Sequence, residues 1–208
     1  MTAATISAKS ALQTPNNLSV KKKDKPLYAS KEIYLSEYQS REDGFKYEWV
    51  NGIIEKTPKT MTNEQAHIGE NLNFFFYSLK IAGKIKGTFQ TQNNAHIAEK
   101  RIRIPDMCYF NAQQEVEAAN GGHPIAEFML EVVSPTDNMY SYAKKMVDYQ
   151  KAGVKVVWLI FPNVEQVHVY TGKTMMVCQD DDICSASPAL PLFNISVKDI
   201  FKKPIIEI

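Results

Sequence analysis

Cysteine is scarce in this 208-residue chain, limited to Cys108, Cys178 and Cys184 with no Cys-x-x-Cys spacing. An odd, scattered set gives neither a disulfide framework nor a thiolate zinc site. The histidines His67, His96, His123 and His168 share no ligand spacing, which argues against imidazole-bound zinc. Arginine is equally sparse: only Arg41, Arg101 and Arg103 are present, so the residue best suited to bidentate phosphate contacts is in short supply. No apolar run approaches the roughly 18 residues of a membrane span, and no N-terminal apolar segment reads as a secretory leader. The expectation is a cytoplasmic protein with no membrane partner. The formal net charge is +1, which excludes a non-specific coat for nucleic acid.

Hydrophobic residues make up 44% and charged residues 23% of the chain, a composition able to build a sizeable core. The charge is unevenly placed. Lys9, Lys21, Lys22, Lys23 and Lys25 crowd the small, polar stretch 1–30, which reads as a flexible tail. Residues 31–208, net acidic, read as a single domain.

A short helix is expected after Lys31. The extended runs on either side of Asn51-Gly52 predict a hairpin, because both turn residues tolerate positive φ. Thr62 followed by Gln65 predicts a capping box opening a long helix with Leu72, Phe75, Phe76 and Leu79 on one stripe, stopped at Gly83. Strands are expected at 86–92, 94–99, Met107–Phe110 and Glu127–Val133. A second long helix is predicted from about Asp137 to Ala152, closed by Gly153. The nearly continuous apolar run Lys155–Phe161 reads as a strand buried on both faces, pairing with the alternating segment 164–170. A final short helix follows Ser196. A helix between two apolar strands indicates an α/β fold with a central mixed β-sheet flanked by helices.

Two carboxylates stand beside apolar strands. Asp106 follows Pro105 at the mouth of one strand, and Glu131 lies inside another, on the face shared with Met129 and Val133. An ionised carboxylate there is costly unless paired, hydrogen-bonded or bound to a metal. Such a pair suits a hard, oxygen-seeking cation such as Mg²⁺. Helical spacing from Met146 and Tyr149 turns Lys145 toward Glu131 and leaves Lys144 in water.

These residues carry a resemblance. Pro105-Asp106-Met107, Glu131-Val132-Val133-Ser134-Pro135, Lys145, Tyr149 and Gly153-Val154, then the strand Val156–Ile160, follow in the order of the Uma-type restriction endonucleases. That family is a branch of the PD-(D/E)XK nuclease superfamily. Tyr47–Gly52 and His67 extend the likeness upstream, so that it covers about Lys31 to Phe201. It implies a restriction-endonuclease-like core and Mg²⁺-dependent hydrolysis of DNA phosphodiesters, with Mn²⁺ as a possible substitute and no organic cofactor. Asp106 and Glu131, with the Val132 carbonyl, would hold the metal. The position two after Glu131 is Val133, which carries no ammonium, so Lys145 from the adjacent helix takes the lysine's role. Glu48 is the fourth catalytic candidate and His67 a second-tier one. Arg101 and Arg103, beside Asp106, are candidate phosphate contacts. Two-strand cleavage implies a homodimer.

Ser141 stands where the family usually has an acid, and Val157 and Phe161 replace its usual tyrosine and aspartate. These departures keep a second reading open: a nuclease-fold protein that no longer cuts and serves as a binding or assembly module. A hydrolase of RNA or nucleotides is a third.

Overall fold

A computed structural model of the chain describes residues 25–59, 62–134 and 138–204. Most of the tail, Pro135 and Asp137 lie outside the described residues. The elements run β1 (Leu27–Tyr28), α1 (Lys31–Ile33, continued by a wider π-type turn at Tyr34–Tyr38), β2 (Phe45–Val50), β3 (Ile53–Pro58), α2 (Asn63–Ile81), β4 (Thr88–Thr91), β5 (Ala95–Ala98) and β6 (Arg101–Arg103). They continue with β7 (Met107–Phe110), α3 (Ala112–Ala119), β8 (Phe128–Val132), α4 (Met139–Ala152), β9 (Val156–Phe161), β10 (Gln166–Thr171), β11 (Thr174–Cys178), β12 (Ile183–Ser185), β13 (Asn194–Ser196) and α5 (Val197–Ile200).

Three local signals set the frame. Asn51 and Gly52 take positive φ and turn β2 back onto β3. Thr62 and Gln65 form the reciprocal capping box that starts α2. Gly153, at φ +88°, closes α4 in the left-handed conformation that glycine adopts without steric cost.

The larger sheet, ordered β11-β10-β9-β8-β7-β4, is mixed, and its one parallel pair is β8 with β9, bridged by α4. Both faces are covered, which explains why every residue of β8 is buried. Phe128, Leu130 and Val132 pack with Leu72 and Phe76 of α2. Met129 faces the other way, toward Tyr142, Met146 and Tyr149 of α4. A second, antiparallel sheet, β1-β3-β2-β6-β5, has its own small core around Tyr34, Tyr47 and Trp49. No helix among the described residues is long and apolar enough to cross a membrane.

The stretch read as a tail becomes structured before Lys31. Leu27 and Tyr28 pair with Ile54 and Ile53, and the Trp49 indole donates to the Ala29 carbonyl at 2.9 Å. The open edge of β3 supplies the backbone partners that a polar, aperiodic segment does not announce.

Candidate active site

The site forms where the two sheets meet α4. Met107 pairs with Leu130 and Cys108 with Met129, so the register carried on one step sets Asp106 opposite Glu131. Asp106 Oδ2 accepts the Val132 N–H at 2.8 Å, and its Oδ1 accepts Lys46 Nζ at 3.3 Å. Lys145, two turns into α4, reaches Glu131 Oε1 at 3.0 Å and Oε2 at 3.1 Å. The same ammonium lies 3.2 Å from Glu48 Oε1. The Tyr149 hydroxyl donates to Glu131 Oε1. Glu48, Asp106, Glu131 and Lys145 thus gather in one place.

Glu48 faces this centre because residues two apart on β2 share a face: Lys46 and Glu48 point to the site, while Tyr47 and Trp49 fill the small core. Glu48 Oε1 also accepts the Ile104 N–H at 2.7 Å, and its Oε2 accepts Arg103 at 2.9 Å. It is a buried carboxylate, 3% exposed, with every oxygen engaged.

The electrostatics follow. Burial by itself raises the Glu48 carboxyl, but Lys145, Arg103 and Lys46, helped by the Ile104 N–H, bring it down to about 2. At Glu131 burial prevails over Lys145 and, with Asp106 pushing the same way, holds the carboxyl above its ordinary range. Burial pulls the Lys145 ammonium down, yet Glu131, Glu48 and Asp106 hold it above the usual lysine value, so it stays a cation at neutral pH. Burial and the neighbouring Glu131 push the Tyr149 phenol well up, which keeps it a donor.

Asp106 is 26% exposed and forms the floor of an open cleft. Two adjoining hollows of about 500 and 390 Å³ meet at Lys46, Pro58, Gln65, Asp106 and Val132. Lys145, Tyr142 and Ser141 line the smaller one. No group of three or more His, Cys, Asp or Glu side chains among the described residues forms a metal cage. Asp106 and the Val132 carbonyl are nevertheless hard oxygen donors lining the cleft, and Glu131, 1% exposed, is a third, buried beside them. Lys46 and Lys145 leave the three acids Glu48, Asp106 and Glu131 one negative charge in excess. Two carboxylates completed by water are a donor set that fits Mg²⁺. The Val132 carbonyl accepts Gln65 Nε2 at 3.2 Å, which leaves one of its two lone pairs.

Other expected residues lie elsewhere. Arg103 is no phosphate contact: it is 1% exposed and bound to Glu48, Glu55 and Asp148, since a buried guanidinium needs acids on every side. Arg101 Nε lies 3.0 Å from Asp148 Oδ1, which turns it toward the same network. His67 lies on another face of α2, 3.9 Å from Glu70, and lines a separate hollow with Pro162 and Phe201. Lys144 points away and sits over the Tyr140 ring.

Lys46, Gln65 and Tyr149 join the site without having been singled out as functional. The signals were present: Lys46 is two residues from Glu48, Tyr149 is one helical turn after Lys145, and Gln65 closes a predicted capping box three residues after Thr62.

A mixed sheet with paired strand carboxylates and a helix-borne lysine at an open polar cleft defines a nuclease-type α/β scaffold. The chain belongs to the Uma2 family, described as "putative restriction endonuclease", whose model matches residues 33–198. The fold is shared with a crystal structure of a "putative nuclease belonging to DUF820" from Anabaena variabilis. The TM-score is 0.61 at 19% identity, with 75% of this chain and 89% of that chain covered. No curated protein matches the chain.

Proposed function

We propose that this protein is a Mg²⁺-dependent endonuclease that hydrolyses DNA phosphodiester bonds, with Mn²⁺ as an alternative ion. The observation that carries this reading is the convergence of Lys145 with Glu131 and Glu48, at 3.0 and 3.2 Å, next to the partly exposed Asp106. Asp106, Glu131 and the Val132 carbonyl would hold the ion, which when bound polarises the phosphodiester and acidifies a water. Lys145 places a permanent positive charge where the phosphorane accumulates negative charge. Glu48 fixes that ammonium from behind. Tyr149 holds Glu131 Oε1, and Lys145 spans both oxygens of the same carboxylate. Lys46 adds a second cation at the cleft, able to meet a non-bridging phosphate oxygen.

A second reading is a non-cutting binding module. Glu131 is already satisfied by Lys145 and Tyr149, and the Val132 carbonyl by Gln65, so the centre is internally complete without an ion. Incubating supercoiled plasmid with wild type, Asp106→Asn and Lys145→Met, with and without Mg²⁺, separates the two. Nicking by wild type alone, dependent on the ion, is expected. Equal activity or equal inactivity in all three overturns the endonuclease reading, and the absence of any Mg²⁺-induced rise in melting temperature then favours the module.

A further inference from the structure

The larger sheet ends in two unlike edges. β4 is blunted by polar Thr88 and Gln90 and turns Phe89 into the core. β11 is the opposite case. Met175, Met176 and Val177 are 51%, 50% and 43% exposed, on both faces of the strand. Thr174–Cys178 hydrogen-bonds through its backbone to β10 alone among the described residues. The strand holds no charge, proline or bulge to protect its open edge. A row of free N–H and C=O groups flanked by apolar side chains is a template for another strand.

The flanks indicate which strand. Lys173 precedes β11, and Asp180, Asp181 and Asp182 follow it. Lys198 pairs with Asp181 at 2.6 Å, which leaves the acidic end negative. A parallel neighbour of the same sequence sets like charges together. An antiparallel one sets the basic end of each strand against the acidic end of the other.

We propose that β11 pairs antiparallel with β11 of a second copy of this chain, making a two-fold dimer with one continuous sheet. Pairing about Met176 sets Lys173 across from the partner's Gln179, one residue short of the acidic run that begins at Asp180, and Met176 lies on the axis facing itself. The inference stands independently of the nuclease reading. So short an edge belongs to the small, transient class of interface, below about 1,200 Å², so a dissociation constant on the order of 10 µM is expected.

Sedimentation velocity of the full chain from about 1 to about 200 µM, a span bracketing that constant, tests it. Mass should rise with concentration from the 23.6 kDa monomer toward twice that value. Met176→Lys, which sets two ammonium groups face to face, should weaken association at least about tenfold, or about 1.4 kcal/mol. Its far-UV circular dichroism and melting temperature should be unchanged, because the site is half exposed. Lys173→Gln should weaken the dimer and abolish its sensitivity to salt. A monomer at every concentration, or a dimer that Met176→Lys leaves intact, overturns the proposal.

Discussion

Replacing Lys145 with methionine keeps the aliphatic stem and removes the charge. Its partners do not suffer equally. Glu48 retains Arg103 and the Ile104 N–H, whereas Glu131, 1% exposed, keeps only the Tyr149 hydroxyl among the described residues. Removing one member of a buried pair costs about 3–5 kcal/mol, and a domain of this size loses about 2–4 °C per kcal/mol. A fall in melting temperature of roughly 6–20 °C at pH 8 follows. The pH dependence is the sharper signature. Without the ammonium, the Glu131 carboxyl, already raised by burial, rises further and takes up a proton in the folded state. A carboxyl whose folded value lies above its unfolded one adds stability at low pH and loses it as pH rises through the folded value. The gap between variant and wild type should therefore narrow from pH 8 to pH 5, and Lys145→Met with Glu131→Gln should recover most of it. Urea unfolding across that range reads all three. A loss under about 1 kcal/mol, or a gap that does not vary with pH, would refute the buried pairing, since exposed pairs contribute no more than that.

Three further outcomes are expected. Asp106→Asn keeps an acceptor for the Val132 N–H, so its melting temperature without metal should stay near that of wild type while the Mg²⁺-induced rise disappears in a thermal-shift titration. Gln65→Leu removes the half of the α2 cap made by its side chain to the Thr62 N–H, and the bond to the Val132 carbonyl, and should cost about 1–3 kcal/mol by urea unfolding. His96 stacks on His123 at 4.0 Å, and burial with that neighbour brings its imidazole down to about 4 from 6.5. A folded value below the unfolded one means stability is lost as pH falls from 6.5 toward 4, so His96→Phe should flatten the melting temperature across that window.

Much of this architecture is legible in the residues because local and global signals agree. The Asn51-Gly52 turn, the Thr62 cap and the apolar runs that become β8 and β9 each specify one conformation by short-range chemistry. α3 escapes that kind of reading: none of its residues is buried, so no apolar stripe marks it, and only the Asn111–Gln114 capping box betrays it. The placement of Asp106, Glu131 and Lys145 can be inferred because an acid within an apolar strand demands a partner, and helical spacing turns only one of the two lysines inward. Arg103 shows the limit. Its partners Glu48, Glu55 and Asp148 lie 55, 48 and 45 residues away, and nothing local reveals that three separate elements close over it.

That closure bears on how genetic data from this protein would read. Arg103 belongs to one sheet with Glu48 and Glu55, and Asp148 rides on the helix that serves the other, so ion pairs join the halves of the molecule directly behind the cleft. With the proposed endonuclease activity, a library selected for lost cleavage would return Arg103 and Asp148 alongside Asp106 and Lys145, although Arg103 and Asp148 are buried away from the cleft. Abundance in the cell would sort them: variants at the join should vanish as soluble protein, and those at Asp106 should accumulate intact and inert.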